Sequence, residues 1–143
     1  MKKLSKQVYS KHTVELLYEA VNDTEAYRLF IPFCTKSEVL QEGSEKKLCR
    51  LTFSQGFISR DLITVNTLWP NHRIDIVLKK GDFSHLYGQW LFQESEEGSL
   101  VSLDIEYAFN DMFVAYTFGK IFDFVAGDMV NIFCRRADEL SVR

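Results

Sequence analysis

The sequence predicts an α+β protein in which a curved antiparallel sheet of six or seven strands grips one long C-terminal helix. Three observations carry this. Between Cys34 and Asn110, apolar and polar residues alternate in short runs, and hairpin-length turns separate the runs. Met112 to Val142 contains no proline and spaces its apolar residues like one long helix. A sheet with one apolar face needs a cover, and that final stretch is the only one long enough to provide it.

Leu4–Ser10, short and mixed in pattern, is expected to form the first strand. Thr13 offers a helix N-cap and Glu15 suits the first turn, while Val14, Leu17, Tyr18 and Val21 recur at helical spacing. Asn22-Asp23 ends that helix. Thr24 is placed to cap a second short helix through Phe30, which Ile31-Pro32 closes because a residue before proline is pushed toward extended backbone. Two short helices therefore follow the first strand.

Cys34–Glu42 is the next strand, with Gly43-Ser44-Glu45 as its turn. Cys49, Leu51 and Phe53 then alternate with Leu48, Arg50 and Thr52, the period of two expected when one face is covered. Gln55-Gly56 interrupts before a long strand from Ile58 to Leu68, and Pro70-Asn71 suits the centre of a type I turn. Ile74, Ile76 and Leu78 alternate with Arg73, Asp75 and Val77. Leu86–Gln93 places Gly88, Trp90 and Phe92 on one face, and a glycine there marks a bulge, a bend or a closely approached backbone. After Glu96-Glu97-Gly98, the residues Leu103, Ile105, Tyr107 and Phe109 alternate with Ser102, Asp104, Glu106 and Ala108.

The last stretch is more apolar than one buried face requires. Phe113, Val114, Tyr116, Phe118, Ile121, Phe122, Phe124 and Val125 wrap most of its circumference, broken by Lys120, Asp123 and Asp128. A sheet can cover one side. The remainder is expected to meet a bound apolar molecule or a partner, since the apolar window is too short and too charged to span a bilayer.

With 143 residues, 46% hydrophobic and 26% charged, the chain has the composition of one soluble domain over residues 1–143. Its 14% aromatic content, including 12 Phe, implies a thick core or a lined cavity. A net charge of -3 gives no bulk attraction to nucleic acid or anionic lipid. Cys34, Cys49 and Cys134 are too widely spaced for a metal or disulfide pattern and read as small buried hydrophobes in a reducing compartment. MKKLSKQVYSKH lacks the apolar core of a signal peptide, so the expected location is cytoplasmic. His12, His72 and His85 form no ligand pair, and no metal is expected. Lys2-Lys3, Lys46-Lys47, Lys79-Lys80 and Arg135-Arg136 are short basic clusters that read as solvated surface.

Four segments carry a resemblance: VNDTEAYRLFIPFC (21–34), KGDFSHLYGQWLF (80–92), LDIEYAF (103–109) and FGKIFDFVAGDMVNIFCRRADEL (118–140). In order and spacing the chain resembles the helix-grip fold of the START superfamily. Within it, the chain is similar to the branch holding the coenzyme Q-binding proteins and the bacterial ribosome association toxins (RatA), part of the polyketide cyclase and lipid-transport group. Val21, Asn22, Asp23, Tyr27, Phe30, Ile31, Pro32 and Cys34 follow that branch's pattern, but Arg28 stands where a proline is usual after the tyrosine. The resemblance implies a non-enzymatic protein with an apolar cavity between sheet and helix. One expected occupant is ubiquinone or a similar isoprenoid lipid, in support of respiratory electron transfer, with peripheral contact at the inner membrane. The alternative is binding to the large ribosomal subunit and inhibition of 70S association.

The expected cavity residues are Phe30, Pro32, Phe33, Trp90, Phe92, Phe118, Phe122, Val125 and Met129, with Tyr27, Tyr87 or Tyr116 offering a polar contact at the mouth. An isoprenoid chain suits such walls because each buried CH₂ contributes ~0.8 kcal/mol. Catalysis is not expected. Cys34 has no His or Asp at a useful spacing, and Asp104 and Glu106 lie on the face opposite the apolar alternates.

Overall fold

The computed structural model describes residues 1–142. Its elements are β1 (Lys2–Ser10), α1 (Val14–Asn22), a 3-10 segment (Thr24–Leu29), β2 (Cys34–Glu42), β3 (Lys46–Gln55), β4 (Ile58–Trp69), β5 (Arg73–Lys80), β6 (Phe83–Ser95), β7 (Gly98–Phe109), α2 (Met112–Tyr116) and α3 (Phe118–Ser141). The strands form one antiparallel sheet in the order β1-β7-β6-β5-β4-β3-β2. Register shifts in β2, β5 and β6 mark bulges, which bend strands and help the sheet curve around α3.

Local chemistry explains the short helices. Thr13 caps α1, its hydroxyl accepting from the Leu16 N–H at 3.2 Å. Thr24 does not cap the next turn as expected, because its side chain is buried and turned toward Cys49, 3.6 Å away. The unusual Arg28 has a use: its N–H donates to Ser37 Oγ at 3.1 Å, a bond no proline could make. Pro70-Asn71 also departs from expectation. Asn71 has φ 67° and the His72 N–H reaches the Trp69 carbonyl at 2.9 Å, so the turn is type II, in which Asn tolerates the positive φ.

The expected single helix is two. Asp111 caps α2 through the Val114 N–H at 2.8 Å, and the chain turns at Thr117, whose φ and ψ are -92° and -82°. The Thr117 hydroxyl donates back to the Phe113 carbonyl at 2.8 Å, a side-chain bond that competes with helix continuation. Immediately after, Gly119 lets α3 approach β7, since a Cβ there would sit 3.1 Å from the Phe109 ring. Phe113 and Tyr116 of α2 and Phe124 of α3 are exposed, so the apolar surplus read from the sequence is not enclosed within this chain.

The core lies between the sheet's concave face and α3. At the α2 end, Phe53, Phe83, Tyr107, Phe109, Phe118 and Phe122 pack mostly edge-to-face, with Tyr107 and Phe83 centroids 4.8 and 4.9 Å from Phe122. Such pairs contribute ~0.5–1.5 kcal/mol beyond the area they bury. The Tyr107 hydroxyl donates to Asp123 at 2.6 Å and ties β7 to α3. None of the described helices is long and apolar enough to cross a membrane.

Candidate ligand cavity

Beyond the aromatic end, the interface is incompletely filled. A cavity of about 80 Å³ lies between α3 and the concave faces of β3 to β7, with Thr24 and Tyr27 of the 3-10 segment on its wall. Two features of the strand ladder make it. One row runs Lys47, Asn66, Ile76, Gly88, Ile105 across five strands, and Gly88 leaves that row without a side chain on β6, between Ile76 and Ile105. The ladder is regular there, so Gly88 marks space and not a bulge.

The second feature is polar. On β4 it is Thr64 and Asn66 that are buried on the concave side, while Ile63 and Val65 are only half-buried on the other. Thr64 donates to Asn66 Oδ1 at 2.9 Å. Lys47, paired with Asn66 across the ladder, is 4% exposed, and its ammonium donates to the Asn22 carbonyl at the end of α1. Burial pushes its pKa down. Lys46-Lys47 is therefore not the solvated pair expected. Burial pushes the Cys49 thiol up, and the Tyr27 hydroxyl is likewise held protonated by burial while it donates to the Val21 carbonyl. The polar groups on the wall are Thr24, Tyr27, Cys49, Thr64 and Asn66, and no His, Asp or Glu is among its described residues.

Of the residues expected at the site, Trp90, Phe122, Met129 and Tyr27 line this cavity. The others are elsewhere, each for a local reason. Phe118 and Val125 are fully buried in the packed core. Phe92 stacks on Trp90 and meets Tyr18 of α1 edge-on at 5.7 Å. Phe30 packs on Phe133 at 5.3 Å beneath the Arg136 guanidinium, and Phe33 meets Phe124 at 6.0 Å, with the half-buried Pro32 between them in the chain. Tyr87 is on the convex face, donating to Asp75, and Tyr116 is exposed under Lys120, so neither reaches the cavity. Sequence reasoning missed Thr24, Cys49, Thr64 and Asn66. The available signal was register: once Leu51 and Cys49 point inward, antiparallel pairing puts Leu62 and Thr64 beside them.

A bent antiparallel sheet closed over a small cavity by one long helix defines a helix-grip binding fold. The chain belongs to the polyketide cyclase / dehydrase and lipid transport family, whose profile matches residues 10–134. It is 34% identical over 125 residues to the ribosome association toxin RatA of Pseudomonas aeruginosa, covering 87% of each chain. It is 26% identical over 136 residues to the mitochondrial coenzyme Q-binding protein COQ10 homolog B of Xenopus laevis, covering 90% of this chain and 54% of that protein. Among solved structures, the Zhui aromatase/cyclase from Streptomyces sp. R1128 superposes with a TM-score of 0.77 at 17% identity, covering 99% and 96% of the two chains. That last likeness is one of fold.

Proposed function

We propose that this chain is a non-enzymatic, cytoplasmic factor that binds the large ribosomal subunit and inhibits 70S association. The observation that carries this is the similarity to the ribosome association toxin, which extends over 87% of both chains at 34% identity. The geometry favours it over storage of a whole isoprenoid quinone. Sites for drug-sized ligands measure ~300–1,000 Å³, against about 80 Å³ here. Sedimentation of ribosomes through sucrose gradients tests the proposal. Excess protein is expected to deplete 70S particles, raise free subunits and co-migrate with the large one. Unchanged 70S abundance without co-migration overturns it.

A second reading, isoprenoid-lipid binding, is favoured by the apolar cavity and by the similarity to a coenzyme Q-binding protein over 90% of this chain. It requires α3 or the 3-10 segment to move outward to enlarge the space. Solvent extraction of protein purified from its native host, followed by mass spectrometry, checks it. An extract without quinone, and no uptake on incubation, removes this reading.

A further inference from the structure

The two edges of the sheet are built differently. β2 is bulged between Cys34 and Lys36 and between Val39 and Gln41. The 3-10 segment lies against it, the Ser37 hydroxyl donating to the Glu25 carbonyl at 3.0 Å and accepting from the Arg28 N–H at 3.1 Å. Its charges are mixed: Lys36, Glu38 and Glu42. β1, at the other edge, pairs with β7 from Lys2 to Ser10 without a register shift. Among the described residues, none of the turn and loop backbone bonds reaches Lys2–Tyr9. Alternate residues of an antiparallel edge strand turn both N–H and C=O outward, so β1 offers a regular row of backbone groups that β7 does not use.

The charge along this edge is of one sign. Lys2, Lys3, Lys6 and Lys11 are exposed, and the first acidic residue of the chain is Glu15, although the whole chain carries a net charge of -3. Lys2 pairs with Asp123, and the charges of Lys6 and Lys11 reach Asp128 and Asp138, so the acids that answer them stand behind the edge on α3. Glu106 faces Lys3 across the ladder. An ammonium has three N–H donors, so each lysine keeps capacity toward a strand arriving from outside. Leu4 and Val8 alternate with Lys2 and Lys6 and are half-buried at the margin of the core. Two copies of β1 would set lysine against lysine, which disfavours self-pairing.

We propose that β1 is a docking edge for an acidic, extended segment of a partner protein, which adds a further strand to the seven-stranded sheet. Backbone bonds to the outward groups of β1 supply the geometry. Acidic side chains opposite Lys3 and Lys6 supply the selection, and apolar ones beside Leu4 and Val8 extend the core at its margin. The lysines thus exclude a second copy of the chain and admit a strand of opposite charge. This goes beyond the ribosome reading and uses neither the ribosome nor the cavity.

The test uses the full chain and a capped peptide, Thr-Val-Thr-Glu-Thr-Val-Glu-Glu, whose residues stand opposite Tyr9 to Lys2 in antiparallel pairing. Its counterpart carries lysine in place of each glutamate. The readouts are the affinity of each peptide and amide hydrogen exchange along β1. The acidic peptide is expected to bind about tenfold more tightly than its counterpart at low salt. Exchange should slow at alternate residues of Lys3–Tyr9, the period of two that a paired strand imposes. Lys3→Glu combined with Lys6→Glu should reverse the preference between the peptides. Should that variant fail to fold, Lys3→Gln combined with Lys6→Gln is expected to remove the preference; an unchanged preference in either variant overturns the proposal. Equal binding of the two peptides by the unaltered chain also overturns it, as does protection that is absent or not alternating. Tighter binding of a uridine octanucleotide than of the acidic peptide assigns the edge to RNA, and protection gained on raising the protein concentration alone assigns it to a second copy; either result overturns the proposal. No ribosome enters these measurements, so this inference and the proposed function fail independently.

Discussion

At one end of the interface between α3 and the sheet, six aromatic rings fill the space. At the other, a glycine and a row of polar side chains leave about 80 Å³ open. The two ends share the same strands and the same helix, so secondary structure does not distinguish them. The difference lies in which inward positions carry bulk: Phe53, Phe83, Tyr107 and Phe109 at the first end, Cys49, Thr64, Asn66 and Gly88 at the second. The aromatic end holds the sheet to the helix. The open end is where a fold of this kind can admit something else.

The largest effect should come from breaking the filled end. Phe122 is 6% exposed and meets five other rings, so Phe122→Ala is expected to lower stability by about 3–5 kcal/mol in urea unfolding. A loss below about 1 kcal/mol would mean that this end is not the tightly packed one.

Next in size is a pH effect at a thiol beside the filled end. Cys34, paired across the ladder with Phe53, has its pKa pushed by burial from an ordinary 9.0 to about 11. The folded chain thus keeps a proton that the unfolded chain releases. Stability from this group is full below pH 9.0 and is lost as pH rises through about 11, by about 2–3 kcal/mol. Cys34→Ala should flatten that part of the stability curve. Rapid alkylation of native Cys34 by iodoacetamide at pH 8 would contradict the burial that raises its pKa.

These two regions were not equally legible in the sequence. Alternation and turn signals sufficed for the sheet, and Phe118, Phe122 and Trp90 were identifiable as inward-facing from spacing alone. The helix break at Thr117 was not, because it depends on a threonine bonding back to Phe113 and on the Phe109 ring beside Gly119, neither of which is periodic. The polar wall was hidden for a different reason. On β4 both alternating sets contain apolar residues, so Ile63 and Val65 look like the core face until pairing with β3 decides the matter. Tyr27, Tyr87 and Tyr116 were equivalent by chemistry, and only the fold separates them: Tyr27 lines the cavity, whereas Tyr87 lies on the convex face and Tyr116 is exposed.

The polar wall itself can be tested by removing both partners. Replacing Asn66 by Leu together with Thr64 by Val removes both partners of a buried hydrogen bond and adds apolar contact. Stability is expected to rise by about 1–2 kcal/mol. Destabilisation of similar size would show that the pair is fully satisfied in solution and that the open end is built for rigidity.

The smallest effects come from a matched pair of glycines, one at each end. A Cβ at Gly88 would meet Ile105 Cγ1 at 3.7 Å, Ile76 Cβ at 3.8 Å and the Asp104 carbonyl at 3.9 Å, all ordinary contacts. Glycine within a strand is less stable than alanine by ~0.5–1 kcal/mol, so Gly88→Ala should stabilise the fold by about that amount. Gly119→Ala starts with a comparable advantage of ~1 kcal/mol from helix propensity. Its Cβ, however, would lie 3.1 Å from the Phe109 ring, which is held among its aromatic neighbours, so part or all of that advantage is lost. Thermal unfolding of the two variants side by side should therefore give a clear gain at Gly88 and a smaller gain, or a loss, at Gly119. The reverse order would mean that the space is at the aromatic end, and the contrast between the two ends would fall with it.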